Sequence, residues 1–82
     1  MDKEIGKVIH YYDKVMVAVI RLSDSLSVGN TVKFVSGENE FTQTIDSMEI
    51  EHKKVDSVGT GDEVAVKVEG KAKEGTKIYR VE

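Results

Sequence analysis

Cysteine is absent from all 82 residues, so neither disulfides nor thiolate metal sites can supplement the core. That excludes the usual framework of a small secreted protein and makes a reducing, cytoplasmic setting the natural reading. No run approaches the ~20 apolar residues of a membrane-spanning helix, and Met1-Asp2-Lys3-Glu4 is polar where a signal peptide needs an apolar core. The expectation is a soluble, unprocessed chain with no membrane partner, and Met1 together with a finished last strand suggests a complete gene product. Charge of one sign does not accumulate either. Twelve basic residues face fifteen acidic ones, a net charge of −3 without long blocks. Binding to a phosphate backbone relies on clustered Lys and Arg, so direct RNA binding is not favoured. The local basic candidates are Lys53-Lys54 and the group Lys67, Lys71 and Lys73.

A chain of this length is one domain, residues 1–82, burying about 60–65% of the surface its unfolded form exposes. What it does have is a repeated phrase. Gly29-Asn30-Thr31-Val32, Gly61-Asp62-Glu63-Val64 and Gly75-Thr76-Lys77-Ile78 each place a glycine and two polar residues before a β-branched residue. Glycine tolerates positive φ, so each phrase reads as a turn delivering the chain into a strand. Unequal spacing between the phrases argues against a solenoid and for turns at the rim of one sheet.

Strand signals follow the same punctuation. Ile5–Tyr12 alternates, with Ile5, Ile9 and Tyr11 on one side and Val8 and Tyr12 on the other. Val15–Leu22 is apolar on both faces, Val15, Val17 and Val19 opposing Met16, Ala18, Ile20 and Leu22, which predicts burial on both sides or cover from a partner. Ser23–Asn30 is a connector with Leu26 and Val28 tucked inward. Thr31–Ser36 is a strand with Val32 and Phe34 inward, followed by a polar turn, Gly37–Glu40. In Phe41–His52 the apolar parity switches between Ile45 and Met48, predicting a bulge or bend near Asp46-Ser47. Lys53–Asp62 reads as a polar loop, Val64, Val66 and Val68 line one face of the next strand, and Lys77–Val81 closes the domain. Six strands and no convincing helix predict an all-β fold, a six-stranded closed Greek-key barrel being the economical way to remove sheet edges.

The order Gly6-Lys7-Val8, Leu26 to Val32, Ile45-Asp46-Ser47-Met48-Glu49, Gly61 to Val64 and Glu74 to Tyr79 resembles the second domain of translational GTPases, the β-barrel of elongation factor Tu and initiation factor 2. The likeness covers nearly the whole chain and rests on turn glycines and apolar positions. It implies a translation-protein barrel acting as a binding module for a protein or ribonucleoprotein partner. No Gly-x-x-x-x-Gly-Lys-Ser/Thr loop exists, so the chain alone is expected not to bind GTP. The family's groups for the aminoacylated tRNA end are replaced at Ser57 and Glu63, and its Gly-Arg-Gly segment by Tyr12-Asp13-Lys14. Similar barrels also occur as C-terminal accessory domains of collagenase-like peptidases. The alternative function is therefore an accessory domain partnering a separate enzyme, a peptidase or an RNA-modifying system.

Reactive constellations are lacking. His10 and His52 are the only histidines, with Glu49 and Glu51 near the second in sequence, and a metal site wants three or four convergent ligands. No serine sits in Gly-x-Ser-x-Gly. The expectation is a non-enzyme with no catalytic residue, no metal and no cofactor. Of the consecutive aromatics Tyr11-Tyr12, at least one should face outward, where a ring can stack on a partner. The predicted contact surface joins Tyr12, His52, Lys53 and Lys54.

Overall fold

The computed structural model describes residues 3–81, and among them the fold is all-β with no helix. Ten strands form: β1 (Lys3–Tyr12), β2 (Val17–Leu22), β3 (Leu26–Ser27), β4 (Thr31–Ser36), β5 (Asn39–Thr44), β6 (Met48–Ile50), β7 (Lys53–Val55), β8 (Ser57–Val58), β9 (Glu63–Lys67) and β10 (Lys77–Arg80). Eight make one antiparallel sheet in the order β5-β4-β10-β1-β2-β9-β6-β7, and β3 pairs with β8 in a separate ribbon. Met1, Asp2 and Glu82 lie outside the described residues.

The three glycine phrases fold as one device. In Ser27–Asn30, Gly59–Asp62 and Lys73–Thr76 the fourth residue's N–H donates to the first residue's carbonyl, at 3.0, 3.1 and 3.1 Å. The third residue is Gly29, Gly61 or Gly75, with φ of 97, 89 and 92°, the signature of a type II turn. The polar fourth residue then locks the turn through its side chain. Asn30 Oδ1 accepts from Ser27 N–H, Asp62 Oδ2 accepts from Gly59 N–H, and the Thr76 hydroxyl donates to Lys73 O.

The core lies inside the curl of the large sheet. Ile5, Val8, Ala18, Ile20, Leu26, Val32, Phe34, Ile45, Met48, Val64, Val66 and Ile78 are among its buried side chains, each worth roughly 1.5–3 kcal/mol for the larger aliphatics. Phe34 and Phe41, directly paired across β4 and β5, stack with centroids 4.8 Å apart.

Four expectations are corrected. The ladder does not close: strand order runs from β5 to β7 without returning, and ten strands, four of them only two or three residues long, replace six, so a closed six-stranded Greek-key barrel is not what the hydrogen bonding forms. Where β5 curls towards β9, a side chain bridges them in place of a ladder. Buried Gln43 donates from Nε2 to Lys67 O at 2.9 Å, and its Oε1 accepts from Glu69 N–H at 2.8 Å. Secondly, the first strand's parity fails because β1 is irregular twice, its register shifting between Glu4 and Gly6 against β10 and between Val8 and His10 against β2. Each extra residue flips the alternation, so Ile5 and Val8 are buried together. Thirdly, Lys53–Asp62 contains β7 and β8 and the Ser23–Asn30 connector contains β3. Fourthly, Val28 faces solvent. The break near Asp46-Ser47 is present: β5 ends at Thr44 and β6 begins at Met48. Ile45 N donates to Asn30 O and its carbonyl accepts from Gly29 N–H, both at 2.9 Å, so the bend leaves that backbone satisfied.

Candidate functional site

An outward face of β2 carries the site. The inner parity, Ala18, Ile20 and Leu22, is buried, while Val17 and Val19 stand half-buried on the outside. Cross-strand pairing extends that outer row on both sides. Val17 sits between Tyr12 and Lys67, and Val19 between His10 and Ala65, which in turn neighbours Glu49. The result is a groove of about 550 Å³ lined by Tyr12, Val15, Val17, Val19 and Ala65 along its floor and by Glu49, Glu51, His52 and Glu63 at its rim. Tyr12 and Val15, 54% and 61% exposed, are two of the large apolar side chains that the described residues leave in solvent. The Tyr12 ring lies 6.4 Å from the His10 ring, while Tyr11 turns the other way and donates its hydroxyl to Met16 Sδ.

Two turns hold the ends of this groove, and both are built on unusual backbone. The β1–β2 connection carries Met16 at φ 54°, and the β6–β7 connection consists of Glu51 at φ 50° and His52 at φ 66°. Ile50 pairs with Lys53 across it, making a two-residue hairpin whose central residues are both left-handed. Asn and Gly normally fill such a turn, so Glu and His there hold strain of order 1–3 kcal/mol each. The strain displays a carboxylate and an imidazole beside the apolar floor.

The electrostatics of the rim are acidic. Among the described residues, the carboxylates of Glu49, Glu51 and Glu63 have no hydrogen-bond or ion-pair partner. The carboxylate that is tied down lies elsewhere. Asp24 Oδ2 is 2.7 Å from Lys3 Nζ and 3.6 Å from Arg80 Nη2, and its Oδ1 accepts from Ser25 N–H. The Lys3 ammonium first, then the Ser25 N–H, hold the Asp24 carboxyl below its ordinary value, with a smaller push from Arg80. This clasp joins the first residue of β1 and the last of β10 to the β2–β3 connection.

Of the four predicted contact residues, the groove unites Tyr12 and His52. Lys53 and Lys54 are exposed on β7 and do not line it; Lys54 stands opposite Glu49 and borders a separate small hollow with Asp46 and Asp56. Lys71 and Lys73 border a second hollow with Tyr11 and Phe41, apart from Lys67 on β9. The rim carboxylates were missed as site residues. Their signal was Ala65 on the outer parity of β9, a small residue that leaves the neighbouring strand's valines uncovered between acidic flanks. His10 and His52 are both exposed, and no group of three His, Cys, Asp or Glu among the described residues is placed to hold a metal ion. Among the described residues no helix is long and apolar enough to cross a membrane.

The fold is shared with the C-terminal domain of a Geobacillus thermoleovorans protein assigned to the U32 peptidases. Its crystal structure matches with a TM-score of 0.91, covering 98% of this chain and 93% of that domain at 20% identity. The selenomethionine form of the same domain gives 0.87, covering 96% and 99% at 22% identity. By sequence, the chain is 35% identical over 77 residues to an uncharacterized protease of Methanocaldococcus jannaschii, a match spanning 93% of this chain and 19% of that protein. No family model matches. These findings overturn the translation-factor resemblance: the fold is that of the C-terminal domain of a U32 peptidase and the sequence match is to part of a protease, not to the second domain of a translational GTPase. Turn glycines and buried β-branched residues are demands of any small curled sheet, which is why they suggested the wrong relative.

Proposed function

We propose that this chain is a non-catalytic accessory domain of a U32 peptidase-family system, working in the cytoplasm by docking to the protein that carries the chemistry. Its rigid, barrel-like curl supports the outer face of β2 and β9 as the contact. The observation that carries this reading is coverage in both directions: 98% of this chain and 93% of a domain that is itself a C-terminal unit. The 35% identity to one fifth of a protease's length supports the same assignment. The partner is protein rather than RNA, because unpaired carboxylates around the groove repel a phosphate backbone.

The test uses the M. jannaschii protease with its matching 77-residue segment deleted. Sedimentation velocity should show a one-to-one complex when this chain is added in trans, as it should with the relative's own excised segment. Rebinding by the relative's segment alone contradicts the assignment of this chain, and rebinding by neither contradicts docking.

A further inference from the structure

We propose that the β2–β9 groove takes an extended polypeptide segment in which arginine or lysine alternates with aliphatic residues. This deepens the docking reading and rests on it. The floor comes first. Val15, Val17, Val19 and Ala65 form an uncovered apolar strip continuous with the exposed Tyr12 ring, of the kind that marks a protein contact. Aliphatic side chains of a partner would bury against it.

Charge then selects among apolar segments. Glu49, Glu51 and Glu63 stand at the rim of the strip, and none is neutralised within the described residues. Glu63 pairs in register with Arg21, which follows Val17 and Val19 on the outer face of β2, lines a separate hollow and makes no ion pair with Glu63. Lys54 and Lys67 flank the strip without lining it. An acidic segment would place its carboxylates against three others, whereas guanidinium or ammonium groups meet unpaired acceptors at the end of long stems. Successive side chains of an extended strand point to opposite faces, so with the aliphatic groups down on the strip the intervening cations start on the solvent side and reach back to the rim carboxylates along their flexible stems. The tight Glu51-His52 turn fixes the backbone from which the carboxylate projects.

The experiment follows backbone amide shifts of the full 82-residue chain by NMR while two capped peptides are added, Gly-Arg-Val-Arg-Val-Gly and Gly-Glu-Val-Glu-Val-Gly. The arginine peptide should shift Val17, Val19, Ala65 and Glu49 to His52, and bind about tenfold or more tightly than the glutamate peptide at low ionic strength. The combined substitution Glu49→Gln, Glu51→Gln and Glu63→Gln should abolish that preference. Glu51 and Glu63 are exposed and Glu49 is half-buried, and an unchanged spectrum elsewhere verifies folding. Equal binding of the two peptides, shifts located away from the groove, or no binding of the arginine peptide overturns the proposal. A triple variant that still joins the truncated protease as tightly as the natural chain overturns it as well, while leaving the accessory-domain reading intact.

Discussion

Gln43 shows how much a single side chain decides in a domain this small. Its amide serves one acceptor and one donor of the strand it faces, doing with a side chain what a ladder would do with backbone. Replacing it with methionine keeps the volume and strands both groups, so Gln43→Met should lower unfolding free energy by about 1–3 kcal/mol in urea titration. A loss below about 0.5 kcal/mol would mean that water serves those groups instead. Asp24 gives a residue-scale prediction in pH. Its folded pKa is depressed, so the stability it adds is fully present above its ordinary value of 3.8 and is lost as pH falls through the lower folded value. The stability difference between the natural chain and Asp24→Asn should therefore shrink on acidification below that value, and remain flat above it. A difference that grows in acid would refute the sign. Lys3 is mostly exposed, so added salt should weaken the effect.

At the scale of elements, the β6–β7 hairpin is the clearest case of local sequence overruled by its setting. Replacing Glu51 with Asn and His52 with Gly matches the left-handed pair that the turn requires, and should raise stability by about 1 kcal/mol or more. Lower stability would show that the turn's side chains contribute contacts that outweigh the strain. This hairpin also marks where the sequence stopped being legible. The three type II turns could be read directly because glycine and a polar lock stand together in each. The break at Asp46-Ser47 announced itself by a parity switch. In β1, by contrast, bulges at two places leave no compositional trace, and alternation read straight through them misplaces Ile5 against Val8. Strands of two and three residues such as β7 and β8 are too short to show a period. The groove was half visible: valines on the outer parity of β2, Tyr12 outward and His52 near it could be foreseen. That the surrounding charge is acidic rather than basic depends on which strand lies beside which, and only the pairing of β6 with β9 brings Glu49 to Ala65.

For the whole molecule, the account joins an all-β domain to a role as an attachment. Its small curled sheet leaves an apolar strip uncovered, the kind of surface that marks a protein contact. The chain spans 19% of the length of the protease it matches. The most direct test is quantitative mass spectrometry of what co-purifies from the native cell with the tagged natural chain and with its Val19→Lys variant. The account predicts a U32-family protein in near-stoichiometric amount with the natural chain and its loss with the variant. Recovery of ribosomal components instead, or equal recovery of the U32-family protein by both chains, would contradict it.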